Sequence, residues 1–272
     1  MKNNYLKEVF FMKKLLSVLL SVLLIAAIFA GCSSKEASDV EQITKEGVLV
    51  VGITDYAPMD YKEKGSDEWI GFDADLANAV AQKMGVKVEF KVIDWDNKFL
   101  ELNTRAIDCI WNGMTITDEV KKNTSVTEAY ARNRQVVVVK KDIASEIKTV
   151  DDLKALKDFS VSVEKGSSGE AVAEENGFKY TSVNSQADTL LEVNSGAATA
   201  AIIDSTMADA MTGDGTDYKD LTSTVTLSEE QYGIGCRKDS DLTEQLNKYI
   251  KELKEDGTMK QLSDKYQIEL VD

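Results

Sequence analysis

The chain has 272 residues, 43% of them hydrophobic and 29% charged, enough for one large or two ordinary domains and unlike a disordered composition. Its formal charge is −15, it holds only four arginines (Arg105, Arg132, Arg134 and Arg237), and it has no histidine. An acidic chain without basic clusters is a poor nucleic-acid binder, and the missing histidine removes the Ser-His-Asp triad and the usual zinc ligand. No metal and no cofactor are expected.

Lys13 and Lys14 precede an unbroken apolar run from residue 15 to 30, which ends at Gly31 and Cys32. That layout predicts a secretory signal over 1–31. At sixteen residues the run is short of the roughly 20 that a membrane span needs, which leaves a retained anchor as the weaker reading. Met12 followed by "KKLL" would itself open a signal, so 1–11 reads as a misplaced start. Residues 1–31 carry four lysines and one acid, so the remainder has a charge of −18. The hydrophilic "SSKEAS" reads as a flexible tether, placed over 32–40.

From Val48 strands and helices alternate. "VLVVGIT" is a continuous apolar run of strand length, as in a strand buried on both faces. "GFDADLANAVAQKMG" predicts a helix with Asp73 as its cap and Gly85 as its left-handed stop. Strand "VKVEFKVI", helix "NKFLELNT" and strand "AIDCIWNG" complete a βαβαβ series, and "RQVVVVKK" is a further apolar strand. A second series follows: helix "VDDLKALK", strand "FSVSVEKG", helices "SGEAVAEENG" and "SQADTLLEVNSG", and strand "ATAAIID". The strand "YGIGCRK", an amphipathic helix from Ser240 to Gly257 and a short helix "TMKQLSDKY" close the chain. Two such units imply an α/β fold of two lobes, with ligands beyond the carboxyl ends of the strands.

The strand ends carry the chemistry. Asp55 and Tyr56 follow the first strand, Trp95 the second, and Asn112, Gly113 and Thr115 the third. Glu164, Ser167 and Ser168 follow the first strand of the second series, and Asp204 ends its last. Two aromatics can sandwich an aliphatic chain, a helix start suits a carboxylate, and aspartates suit an ammonium group. Each has a plainer reading: core aromatics for Tyr56 and Trp95, a helix cap for Asp204, turn and cap residues for the two serines.

The blocks "GVLVVGITDYAPMDY", "GFDADLANAVAQKMG", "AIDCIWNGMTITDE", "VVVVKKD" and "YGIGCRK" resemble the bacterial extracellular solute-binding proteins, family 3, over about Gly47 to Tyr266. "FAGC" likewise resembles a bacterial lipobox, which makes Cys32 the lipidation site. The resemblance implies a two-lobed periplasmic-binding-protein-like (type II) fold, each lobe a mostly parallel sheet flanked by helices. Two hinge strands near 138–141 and 229–233 would join lobe 1 (41–138 and 231–272) to lobe 2 (139–230).

It further implies a non-enzymatic, monomeric, lipid-anchored protein on the extracytoplasmic face of the cell membrane. Such a protein would capture a small polar amino acid or related amine for an ABC permease by hinge closure. Tyr56 and Trp95 would flank the ligand, Asp55 would lie near its polar end, and Asn112, Gly113 and Thr115 would border it. Ser167 and Ser168 would receive its carboxylate, and Asp204 would hold its α-ammonium.

The family's carboxylate-binding arginine is replaced by Val120, and its Asp-Phe-Ser-like run by Ser125-Val126-Thr127. Three outcomes are open. Another cation (Arg132, Arg134 or Lys165) substitutes; the ligand lacks an α-carboxylate or carries extra positive charge, suiting Asp55, Glu164 and Asp204; or the protein is a sensor or degenerate paralogue. A dehydratase-like enzyme with Glu164 as base is a weaker alternative. Cys109 and Cys236 fall on strands that the family places side by side, which leaves a disulfide and two buried thiols both open.

Overall fold

A computed structural model describes residues 38–271. The expectations on the signal, Cys32 and most of the tether lie outside the described residues. The last of the tether residues do not: a helix spans Asp39–Glu46, capped by the Ser38 side chain, which accepts from Glu41 N. Asp39 is buried, and its carboxylate pairs with Arg237 and Arg105, so the ordered domain begins before residue 41.

Two five-stranded sheets organise the chain. The first has the order β2-β1-β3-β10-β4, from Val48–Ile53 (β1), Lys87–Val92 (β2), Cys109–Ile110 (β3), Ser125–Val126 (β4) and Gly235–Cys236 (β10). The second has the order β7-β6-β8-β5-β9, from Ala131–Lys140 (β5), Val161–Glu164 (β6), Tyr180–Val183 (β7), Ala200–Asp204 (β8) and Leu221–Tyr232 (β9). Each sheet is mixed. β1 pairs in parallel with β2 and β3, and β6 with β7 and β8, but β10, β5 and β9 run antiparallel to their neighbours. The antiparallel pairs arise where the chain crosses between sheets and returns.

The apolar run in β5 sits in the middle of its sheet. Val136 and Val138 face one hydrophobic cluster while Val137 and Val139 face another, as period-two alternation requires. Val138 and Val139 are paired on both sides, to β8 and β9, so they lie inside the second sheet. The stretch 131–134 pairs with 229–232. β9 itself escapes a sequence reading: "LTSTVTLSEEQY" is an edge strand with one partly polar face, so no apolar run announces it.

Helices cover the sheets. The Phe72–Met84 helix buries Phe72, Leu76, Ala77 and Val80 against the first sheet and stops at Gly85 in the left-handed region. Its start departs from the sequence expectation. Gly71 with φ 128° occupies the cap position, because a side chain there would run into the Met59 carbonyl. Asp73 is instead buried within the first turn, where its carboxylate accepts from the Gly113 amide. The Leu242–Glu255 helix buries Leu242, Leu246 and Leu253, the expected stripe. No helix among the described residues is long and apolar enough to cross a membrane.

Cys236 is the direct cross-strand partner of Cys109, and both are buried free thiols. Burial holds Cys109 well above the usual thiol range and pushes Cys236 up to about 12, so the reactive thiolate is suppressed. Maleimide should therefore modify neither in the native protein, and both in denaturant without reductant, read by peptide mass spectrometry. Labelling in denaturant only after reduction would instead reveal a disulfide between them.

Candidate functional site

The carboxyl ends of β1, β2 and β3 face those of β6 and β8 across a cavity of about 760 Å³. That is the size of a small-ligand site, roughly 300–1,000 Å³. Nine of the ten site residues expected from the sequence line it: Tyr56, Trp95, Asn112, Gly113, Thr115, Glu164, Ser167, Ser168 and Asp204. Asp55 does not. Backbone hydrogen bonds in both directions between Tyr56 and Asp60, 2.7 and 2.8 Å, hold Tyr56 inward and leave its neighbour Asp55 exposed to solvent.

Lining a cavity is not the same as having a free hand in it. Asn112 is consumed internally: its Oδ1 accepts from Thr54 N and Oγ1, and its Nδ2 donates to Thr54 O and Asp60 Oδ2. The Gly113 amide donates to Asp73 Oδ2 at 2.6 Å, which Tyr130 OH also reaches at 2.8 Å. Asp73 thus fixes the Gly113 loop from behind. Gly113 has φ 55°, and a side chain there would collide with the Tyr56 ring, so glycine is what lets the loop approach that ring. Burial raises Asp73 to about 7, and burial together with the nearby Asp73 charge raises Asp60 far above the carboxylate range.

Tyr56 is buried, with its phenol hydrogen-bonded to Tyr232 OH at 2.7 Å and to Thr206. Trp95 is 8% exposed and packs in an apolar cluster with Ile110, Met114 and Val120. Val120 sits on the Asp118–Asn123 helix, which Thr117 caps by accepting from Val120 N at 3.1 Å. The side chain at this position contributes only apolar surface.

The opposite wall is acidic. Asp204 Oδ1 accepts from Gln135 at 2.6 Å and from Asn133, and its Oδ2 accepts from Gln186. Although Asp204 precedes the Ser205–Met211 helix, its side chain makes no cap hydrogen bond, so the plain capping reading fails. Glu164 is 3% exposed and its Oε1 has no hydrogen-bond partner. Glu230, which sequence reasoning missed, accepts from Thr115, Gln135 and Asn133 on Oε2 and from Ser168 and Ser228 on Oε1. Burial, then the Glu230 charge, pushes Asp204 up to about 7; burial, then the Asp204 charge, pushes Glu164 up to about 8. Three carboxyls thus crowd one wall, each raising the cost of ionising the next.

The helix start at Ser168–Glu175 is partly spoken for. Ser167 Oγ accepts from Glu170 N at 3.2 Å as the cap, Glu170 Oε2 accepts from Gly166 N at 2.7 Å, and Ser168 Oγ donates to Glu230. Of the cations suggested by sequence, Lys165 pairs with Asp96 at 2.8 Å on the surface. Arg134 lines a separate cavity beside Tyr61 and Tyr266, and Arg132 lies at the rim, paired with Glu269 at 3.4 Å. The buried cation that lines this cavity is Lys98, absent from the sequence reading. Its Nζ donates to Trp95 O at 3.2 Å and to Gly166 O at 2.8 Å.

Residues 49–269 match the model of the bacterial extracellular solute-binding proteins, family 3. The chain is 32% identical over 261 residues to the arginine-binding extracellular protein ArtP of Bacillus subtilis, covering 94% of this chain and 98% of that one. Among solved structures it is similar to an ancestral amino acid-binding protein, AncCDT-1, a precursor of cyclohexadienyl dehydratase. That match has a TM-score of 0.77 and 35% identity over 84% of this chain and 99% of the other. A histidine-bound substrate-binding protein from Streptococcus pneumoniae aligns with a TM-score of 0.77 and 28% identity over 85% and 97% of the two chains. The chain belongs to the bacterial extracellular solute-binding proteins, family 3.

Proposed function

We propose that the protein captures a cationic amino acid outside the cytoplasm and delivers it to an ABC permease. The observation that carries this reading is the acidic wall: Glu164, Asp204 and Glu230 line one cavity, and the buried Glu164 has an oxygen without a partner. A buried polar atom without a partner costs about 1–3 kcal/mol, and a ligand donor would recover that. In this assignment Asp204 holds the α-ammonium and Glu164 faces the second positive group, with Tyr56 and Trp95 flanking the chain between. The arginine named for ArtP fits such a charge pattern.

Hinge closure is part of the proposal. The paired stretch 131–134 with 229–232 is the link between sheets, and we place the hinge there rather than at 138–141. Lys98 to Gly166 and Lys165 to Asp96 are contacts that a closed cleft would make and an open one would break. Lipid attachment at Cys32 would keep the protein beside its permease; single acyl chains hold weakly and paired ones firmly.

Calorimetry of the purified protein with L-arginine, L-lysine, L-histidine, L-glutamine, L-cystine and L-glutamate tests the ligand class. A Kd of about 10 μM or tighter is expected for one of the cationic amino acids and none for glutamate. Flat traces with every cationic ligand, or a preference for glutamate, would overturn it.

A further inference from the structure

Lys98 has an unassigned position. Three cationic residues line the cavity: Lys98, Lys121 and Arg132. Lys121 and Arg132 have side chains 58% and 45% exposed and belong to the rim, whereas Lys98 is 5% exposed. It begins the Lys98–Asn103 helix, and its ammonium lies 5.1 Å from the Trp95 ring centroid. Two of its three N–H groups go to the carbonyls of Trp95 and Gly166, which leaves one donor. The Gly166 carbonyl is two residues ahead of the helix that starts at Ser168, so the ammonium and that helix's first amides converge on the same end of the cavity.

An amino acid brings a carboxylate as well as amines, and the acidic wall cannot accept it. The helix start alone is a weak receptor, because Glu170 and Glu230 already hold Gly166 N and Ser168 Oγ. Resting on the cationic amino acid reading above, we propose that Lys98 is the cation that receives the ligand's α-carboxylate. Lys98 reaches the cavity beside Glu164, through Gly166, so the cavity would offer a cation to the ligand's carboxylate next to the carboxyls that meet its amines.

A plainer role also exists: Lys98 ties Trp95 to Gly166 across the cleft and never touches ligand. L-arginine and its decarboxylated analogue agmatine separate the two. By calorimetry, Lys98→Met should weaken L-arginine at least about 30-fold, the loss expected for removing one partner of a buried charge pair, and agmatine less than about threefold. Lys98→Arg should recover most of the arginine affinity, which also shows that the site still folds. Equal losses for both ligands would reduce Lys98 to a tether and overturn the assignment, as would unchanged arginine binding in Lys98→Met. Were agmatine silent on the wild type, the carboxylate would be shown essential, and retention of arginine by Lys98→Met would still refute the role. If the wild type prefers lysine or histidine, that amino acid and its decarboxylated amine take the places of arginine and agmatine; a wild type that binds none of the three defeats the cationic reading itself, and this assignment falls with it.

Discussion

Asp204→Asn is expected to remove most of the ligand affinity while leaving the fold at least as stable as before. The substitution keeps the shape and removes the charge. An ammonium ligand then loses its buried counter-ion, at about 2–4 kcal/mol, or roughly 30- to 1,000-fold in Kd. Stability moves the other way. The folded protein pushes Asp204 up to about 7, chiefly by burial and then by Glu230. From an ordinary value of 3.8, keeping it ionised at pH 8 costs on the order of 4 kcal/mol, so a neutral amide relieves the apo protein. The asparagine amide must face one of the donors Gln135, Asn133 or Gln186, each also engaged with Glu230 or the Asp204 backbone amide, and that lost bond offsets part of the relief. Thermal unfolding at pH 8 should show a melting temperature that is equal or higher, and calorimetry should show the lost affinity. A variant that melts many degrees lower and binds normally would place Asp204 in the scaffold instead of the site.

That opposition between binding and stability marks where the sequence could and could not be read. Tyr56 and Asp204 were legible because they follow or end apolar strands, and Trp95 and Glu164 because they follow or end alternating ones, and strand ends in such sheets face the ligand. Asp55 satisfies the same rule and fails, since a tight turn fixes its neighbour Tyr56 inward and sends it out to water. Glu230 and Lys98 were hidden for a different reason. Glu230 lies in "SEEQ" on an edge strand and Lys98 opens a six-residue helix, places where a charge is usually solvated. Only the three-dimensional meeting of β5, β9 and the Gly166 turn brings them to one cavity. Asp73 shows the converse: its spacing suits a helix cap, but the close approach of Met59 to Gly71 takes that position and frees Asp73 to hold the Gly113 amide. That residue 120 supplies no cation is plain from sequence, whereas no local pattern links it to Lys98, the buried cation in the same cavity.

The affinity for a cationic amino acid should fall as pH drops from about 8 to about 5.5, by tenfold or more, while apo stability rises over the same interval. The two signs have one origin. Glu164 at about 8 and Asp204 at about 7 lie above their ordinary values of 4.5 and 3.8, so the folded apo protein binds more protons than the unfolded chain between those limits. Their stabilising contribution is complete below about 4, where both states are protonated, and is lost as pH climbs through 7 and 8. Asp73, also raised to about 7, adds to the same slope from behind the Gly113 loop. A cationic ligand needs these acids ionised, so at pH 7 binding must expel on the order of one proton. Titrations in phosphate and Tris, whose ionisation heats differ, should therefore give different apparent binding enthalpies. Asp204→Asn and Glu164→Gln should each diminish that proton release, yet part of the apo stability slope should persist because Asp60 and Asp73 remain. An affinity that stays flat from pH 5.5 to 8.5, with no dependence of enthalpy on buffer, would mean that the acidic wall does not meet the ligand's charge.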